Sequence, residues 1–276
     1  MIVSLNDILP AARDGGYAVG LFNATDSDML EGVIAAAEAE RSPVVIGTAE
    51  VLLPYGELKL IAPSMIAAAK RATVPVVVHY DHGLTFERCV EALSLGFSSI
   101  MFDGSLNSPE ENLAATREIV NIAHLYGASV EGEIGHVGNA GVQGEADRYT
   151  TVEEARDFVR ATGVDALAIA IGTAHGAYKT APQLDLERLA QIRAAIDTPL
   201  VLHGGSGLSD DDFRNSVRGG IAKVNIFTDI CLAGARAMVA GLEADEDYLK
   251  IRNRKVSAIT EEARKKLRLF GCSGKA

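Results

Sequence analysis

The residues with the clearest chemical potential in this chain are histidines. Six occur, and three of them, His82, His175 and His203, each lie just past a short apolar run and beside an aspartate or a glycine. Three neutral imidazoles with a fourth position left open are the donor set of a catalytic zinc ion. One such histidine alone reads equally well as a hydrogen-bonded structural residue; three on one rim point to a metal. His79, His124 and His136 are read as structural, in a strand, a helix and a loop respectively. Asp81 adjoins His82, where a carboxylate orients a ligand or transfers a proton. Asp103 and Glu133 read either as second metal contacts, as acceptors for a ligand histidine, or as salt bridges inside the same mouth. The turn His203-Gly-Gly-Ser-Gly207 and the segment Asn225-Ile-Phe-Thr228 add a possible anion cradle, because glycine lets backbone N–H groups approach a phosphate. The bland reading of the glycine turn is a tight bend.

These groups need elements that bring them to one place. Eight apolar runs rich in β-branched residues recur along the chain: 17–22, 43–47, 75–80, 98–102, 129–134, 165–171, 199–203 and 221–226. Several are apolar throughout, as strands buried on both faces are. Helical stretches alternate with them. Ser108–Glu111 and Thr151–Glu154 have the pattern of capping boxes, Pro109 suits a first helical position, and Gly96, Gly127 and Gly163 suit helix ends. Eight alternations predict an α/β chain folded as a (β/α)₈ TIM barrel with a C-terminal helical extension. An open doubly wound sheet is the alternative. In the barrel, chemistry gathers at the C-terminal strand ends. Asn23, Asp81, His82, Asp103, Glu131, Glu133, His175, His203 and Asn225 then converge on one face.

Residues 135–150 are glycine-rich, polar and long for a strand–helix connection, and are expected to form a mobile active-site loop. The chain is read as a single domain over 1–276 with a charged helical tail from about 243. Its 276 residues carry a formal net charge of −11, which argues against a nucleic-acid partner but not against a local phosphate pocket. No apolar run reaches the roughly 18 residues that span a bilayer, and the N-terminus lacks a signal-peptide pattern, so no membrane association is expected. The three cysteines, Cys89, Cys231 and Cys272, are far apart with no CxxC pair, which makes a disulfide framework unexpected and a cytoplasmic location the simplest reading.

The segments FNATD, HYDHG, MFDGS, VEGEIG, GVDALAIAIGTAHGAY, LVLHGGSG, KVNIFTD and FGCSGKA together resemble the class II, zinc-dependent fructose- and tagatose-bisphosphate aldolases over nearly the whole chain. The resemblance implies that His82, His175 and His203 are zinc ligands and that Asp81 moves the proton of the substrate C4 hydroxyl. It implies that Gly176, the Gly204-Gly205-Ser206 turn and Asn225, Ile226, Phe227 and Thr228 hold dihydroxyacetone phosphate. Asp103 and Glu133 match positions that contact metal in an alternative site, and a monovalent cation (Na⁺ or K⁺) is implied near Gly176 and Ser206. Zinc would act as a Lewis acid toward the charge left when the C3–C4 bond breaks. The product pair would be dihydroxyacetone phosphate and an aldehyde, from a ketose 1-phosphate or 1,6-bisphosphate.

Two departures mark this chain. Relatives keep a glutamate about eight residues past the Glu133 position, where this chain has Gly141; Glu145 is the nearest loop carboxylate and is taken as the second acid/base. Relatives also recruit an arginine from a neighbouring subunit for the distal phosphate, which implies a homodimer or homotetramer. Lys250, Arg252 and Arg254 lie in that region without matching it. The group on C6 is therefore open, and a C6-modified ketose 1-phosphate such as 6-deoxy-6-sulfofructose 1-phosphate is an alternative substrate. Readings of another class are a metal-dependent barrel hydrolase or epimerase, and a non-catalytic sugar-phosphate sensor.

Overall fold

Eight parallel strands close into a barrel in chain order, each hydrogen-bonded to the next, with the first paired to the last. The computed structural model describes residues 1–138, 149–176, 178 and 182–276. The strands are β1 (Val19–Asn23), β2 (Val44–Ala49), β3 (Val76–Gly83), β4 (Ser99–Phe102), β5 (Ser129–Ile134), β6 (Ala166–Ile169), β7 (Leu200–Leu202) and β8 (Ile221–Ile226). Every strand residue is buried except His82, which is partly exposed. Parallel strands covered by helices outside and packed side chains inside have no solvent face, which is why these runs read as nearly continuous Val, Ile, Leu and Ala.

Eight helices follow the strands in turn: α2 (Ser27–Glu40), α3 (Leu58–Arg71), α4 (Phe86–Ser94), α5 (Pro109–Leu125), α6 (Val152–Thr162), α7 (Leu186–Ala195), α8 (Asp210–Gly219) and α9 (Thr228–Glu243). Local chemistry fixes their starts. Ser108 and Thr151 form the expected reciprocal capping boxes with Glu111 and Glu154, and Ser209 does the same with Asp212. Gly96, Gly127 and Gly163 have positive φ angles, as helix ends before a strand require. The sequence pattern did not signal α1 (Leu5–Gly15), which precedes β1 and is tied to the barrel by the Leu5 N–H donating to Ser129 Oγ.

The tail is the long helix α10 (Tyr248–Leu269), which packs on α2 and α9. Charge pins it: Lys255 to Asp26 and Asp28, Arg252 to Asp28 and Glu31, and Arg264 and Arg268 to Glu40. Beyond it, Phe270 and Cys272 are fully buried, and the Ala18 N–H donates to the Phe270 carbonyl at the foot of β1. Among the described residues, no helix is long and apolar enough to cross a membrane.

The strand that matters most for function runs further than its apolar run suggests. The sequence pattern ends it at Tyr80, but β3 continues through Asp81 and His82 to Gly83. Its register against β4 slips by one residue, from Tyr80 opposite Ile100 to Gly83 opposite Phe102. This is a β-bulge, and His82 holds it with a left-handed φ of 44°. Successive strand side chains alternate between faces, so His79 and Asp81 share the barrel interior while Tyr80 packs outward on Phe97. Without the bulge His82 would follow Tyr80 to the outside. The extra residue turns it back to the mouth.

Gly83 permits that kink. A Cβ there would lie 2.5 Å from Cys89 Sγ and 2.8 Å from the Met101 carbonyl oxygen. Gly83→Ala is therefore expected to destabilise the protein by about 1–3 kcal/mol through overpacking, lowering the midpoint of a thermal melt by several degrees. An unchanged midpoint would contradict this account of the bulge.

Candidate active site

At the C-terminal mouth of the barrel three imidazoles meet. His82 comes from the β3 bulge, His175 from the loop after β6 and His203 from the end of β7. Their ring centroids are 4.6 Å (His82–His203), 5.0 Å (His82–His175) and 5.9 Å (His175–His203) apart. One nitrogen from each lies within 4.8 Å of the others.

Each ring is held from behind. His82 Nδ1 bonds Asp103 Oδ2 at 2.7 Å, His175 Nδ1 faces the Val137 carbonyl at 3.2 Å, and His203 Nε2 bonds Glu131 Oε1 at 2.7 Å. An acceptor behind each ring puts the proton on the far nitrogen and turns the other lone pair toward the shared centre. His175 Nε2 and His203 Nδ1 are buried without a hydrogen-bond partner among the described residues. Buried polar atoms left unpaired are costly, and a divalent cation at the centre would satisfy both at once. Donor type and number fit zinc.

The carboxylates play unlike parts. Asp81, which is 1% exposed, accepts from Asn23 Nδ2 at 2.7 Å and from Asn225 Nδ2 at 3.1 Å. Burial alone would raise its pKa, but the charges of His82, His203, Lys223 and His79 hold it below the usual carboxylate range. Asp103 sits behind His82, and its other oxygen accepts from Ser105 N–H and Oγ–H at 3.1 and 2.7 Å. Glu133 Oε2 is 3.4 Å from His203 Nδ1, and neither atom has a hydrogen-bond partner among the described residues. Burial, reinforced by Asp103, pushes Glu133 up to about 8. His82, Asp103 and Glu133 form a second group able to surround a cation. For His82 itself, burial works against a charge, but Asp81, Asp103 and Glu133 prevail and raise its pKa.

Beside the histidines lies an anion cradle. Gly204 has a φ of 65°, and a Cβ on it would stand 2.4 Å from the Ala174 carbonyl oxygen. Only glycine lets the loop after β7 rest against the loop after β6. Tyr178 ties the same two loops, accepting from the Ala174 N–H at 2.8 Å and donating to the Gly204 carbonyl at 2.7 Å. Ser206 Oγ reaches the start of α9, accepting from Phe227 and Asp229 N–H groups at 3.2 and 3.4 Å. The turn and the N-terminus of α9, where free N–H groups and the helix dipole favour anions, open into one cavity of about 360 Å³ with the three histidines. Asn23, Asp81, Asp103, Gly176, Gly204, Gly205, Ser206 and Asn225 to Thr228 all line it. Val51, Leu52, Leu84 and Leu106 add an aliphatic part to the lining.

Most of the residues named from the sequence thus share one mouth. Glu133 does not line the cavity but faces the inward Nδ1 of His203, and Glu145 and Gly141 lie outside the described residues. His79 is buried in the barrel and bonds Ser99 Oγ at 2.8 Å, and His124 pairs with Asp165 at 2.9 Å, as structural histidines do. His136 differs: it lines the cavity and bonds Ser105 Oγ at 3.2 Å. Lys250, Arg252 and Arg254 pair within the chain, with Asp247, with Asp28 and Glu31, and with Glu246. Sequence reasoning placed Glu131 at the same face without giving it a role, and it missed Lys223. A single charge within the otherwise uncharged strand β8 was the available signal for Lys223.

Comparison with known proteins agrees with this geometry. A family model described as class-II fructose-bisphosphate aldolase matches residues 3–275. YdjI of Escherichia coli K12 is 42% identical over 269 residues, 96% of each chain. The crystal structure of the YdjI aldolase superposes with a TM-score of 0.91 at 37% identity, covering 100% of both chains. A probable fructose-bisphosphate aldolase of Bacillus subtilis is 38% identical, covering 100% of this chain and 99% of its own. A 6-phospho-5-dehydro-2-deoxy-D-gluconate aldolase of Shouchella clausii is also 38% identical, covering 99% and 96%. The hydrolase, epimerase and sensor alternatives are set aside on these grounds: the chain is an aldolase, a member of the class-II fructose-bisphosphate aldolase family.

Proposed function

We propose that this enzyme is a zinc-dependent aldolase that reversibly cleaves a ketose 1-phosphate or 1,6-bisphosphate to dihydroxyacetone phosphate and an aldehyde. The observation that carries the reading is the set of three back-bonded imidazoles beside a glycine-rich anion cradle. His82, His175 and His203 hold the ion. Asp103 and Glu133 offer it a second position with His82. Bound there, zinc supplies Lewis-acid stabilisation of the negative charge left on the dihydroxyacetone-phosphate half.

The remaining work falls to the chain. Gly176, Gly204, Gly205, Ser206 and the Asn225–Thr228 segment bind the phosphate through backbone N–H groups, and a Na⁺ or K⁺ ion near Gly176 and Ser206 supports it. Asp81 takes the C4 hydroxyl proton in cleavage and returns it in condensation. Two amides aim its carboxylate and keep it an acceptor. Glu145, assigned from the sequence, protonates the enediolate carbon. The enzyme works as a cytoplasmic homodimer or homotetramer.

The distal group sets the substrate. Val51, Leu52, Leu84 and Leu106 give the cavity an aliphatic part beside its polar groups. Relatives of equal identity differ in their named substrates, which supports testing both fructose 1,6-bisphosphate and 6-phospho-5-dehydro-2-deoxy-D-gluconate.

The test is cleavage and condensation across a panel of phosphorylated, sulfonated and uncharged aldehydes, with and without EDTA. Cleavage should vanish with EDTA, return with zinc, and survive borohydride in the presence of substrate. Borohydride inactivation through a lysine would refute a metal-dependent mechanism.

A second expectation follows from the raised His82. The metal-free site holds a proton on His82 that a ligand cannot keep. Zinc binding near pH 7 should therefore release protons, and affinity should fall as pH falls. Calorimetry in buffers of different ionisation enthalpy measures this. An uptake of protons would contradict it.

A further inference from the structure

Lys223 lies in the middle of β8 and is 0% exposed. It is not among the described residues that line the cavity. A buried ammonium is costly unless it is fully paired, so a lysine kept here needs a reason. Its Nζ donates to Glu131 Oε2 at 2.7 Å and to Asn225 Oδ1 at 2.8 Å. Each partner leads to a different part of the site. Glu131 uses its other oxygen to hold His203 Nε2 at 2.7 Å. Asn225 uses its Nδ2 to hold Asp81 Oδ1 at 3.1 Å.

We propose that Lys223 is a positioning residue that sets the orientation of both His203 and Asp81, joining the metal site to the proton-transfer carboxylate. This rests on the function proposed above. The argument is one of polarity. An ammonium donates and never accepts. Asn225 must therefore turn its carbonyl oxygen toward Lys223, which leaves the amide N–H for Asp81. Flipped, the amide would present an acceptor to a carboxylate. Glu131 is likewise anchored as a carboxylate, so His203 carries its proton on Nε2 and presents the Nδ1 lone pair to the centre. Asn23 supplies the second amide to Asp81, but nothing among the described hydrogen bonds fixes Asn23 in the same way: its Oδ1 is buried without a partner. Lys223 thus heads two chains that end, within the barrel, on a ligand and on a base.

The inference separates positioning from mere packing. Lys223→Met keeps the length of the side chain and removes its donors. It leaves Glu131 as an unpaired buried charge, which destabilises the fold. Lys223→Met/Glu131→Gln removes that charge and should recover most of the thermal stability. Neither variant should recover the site. Zinc affinity, measured by competition with a chromogenic chelator and without substrate, should fall about 10- to 100-fold in both. At saturating zinc, kcat for cleavage should fall by about 100-fold or more with KM within about threefold, as expected when a proton-transfer group is misaligned. Exchange of the C3 proton of dihydroxyacetone phosphate, which does not use Asp81, should fall far less. Wild-type zinc affinity and kcat in either folded variant would overturn the inference, as would parallel loss of exchange and cleavage. If the wild-type enzyme shows no aldol cleavage on any substrate, the functional proposal fails, and the zinc measurement alone then decides the role of Lys223 in placing His203.

Discussion

The structure depends on a constraint of hydrogen bonding: imidazole rings buried around one point must each be aimed at it. Left to themselves, such rings turn to find partners elsewhere. Here the opposite nitrogen of each ring is occupied, by Asp103, by the Val137 carbonyl and by Glu131. Those acceptors need supports of their own. Ser105 holds Asp103, and Lys223 holds Glu131. The histidine cluster is thus the inner layer of a network that extends from the loops down into the barrel.

The fold supplies the rigidity this network needs. Strands closed into a barrel have no edge and little freedom to shift, so Glu131 on β5, Lys223 on β8 and His203 on β7 keep their distances. The parts that must depart from regular geometry do so at a few places. The bulge in β3 turns His82 inward, and Gly204 lets two loops touch where any Cβ would collide with the Ala174 carbonyl. The loop after β7 joins the start of α9 through Ser206, which ties the glycine turn beside His203 to that helix.

Much of this was legible in the sequence because its causes are local. Runs of β-branched residues spaced by capping boxes specify eight strand–helix units, and their closure puts every strand end on one face. The meeting of His82, His175 and His203 follows from that placement, as does Asp81 beside them. What could not be read is what depends on contacts distant in sequence. A one-residue slip in register leaves little mark beyond Gly83, so β3 reads as ending at Tyr80. His136 reads as a plain loop histidine until the fold brings it beside Ser105. Glu131 and Lys223 stand 92 positions apart, and only the barrel shows that each is the other's partner. A lone lysine in the run IAKVNI and the two glutamates of SVEGEI were nonetheless a signal, since a buried strand charge demands an opposite one.

The central claim is that three imidazoles hold one catalytic ion. X-ray absorption at the zinc edge of the stoichiometrically loaded enzyme tests it most directly. The account predicts a shell of light donors at about 2.0–2.1 Å with the multiple-scattering pattern of three histidines, reduced by one imidazole in His203→Ala. A shell without imidazole scattering, or one unchanged by that substitution, would contradict it.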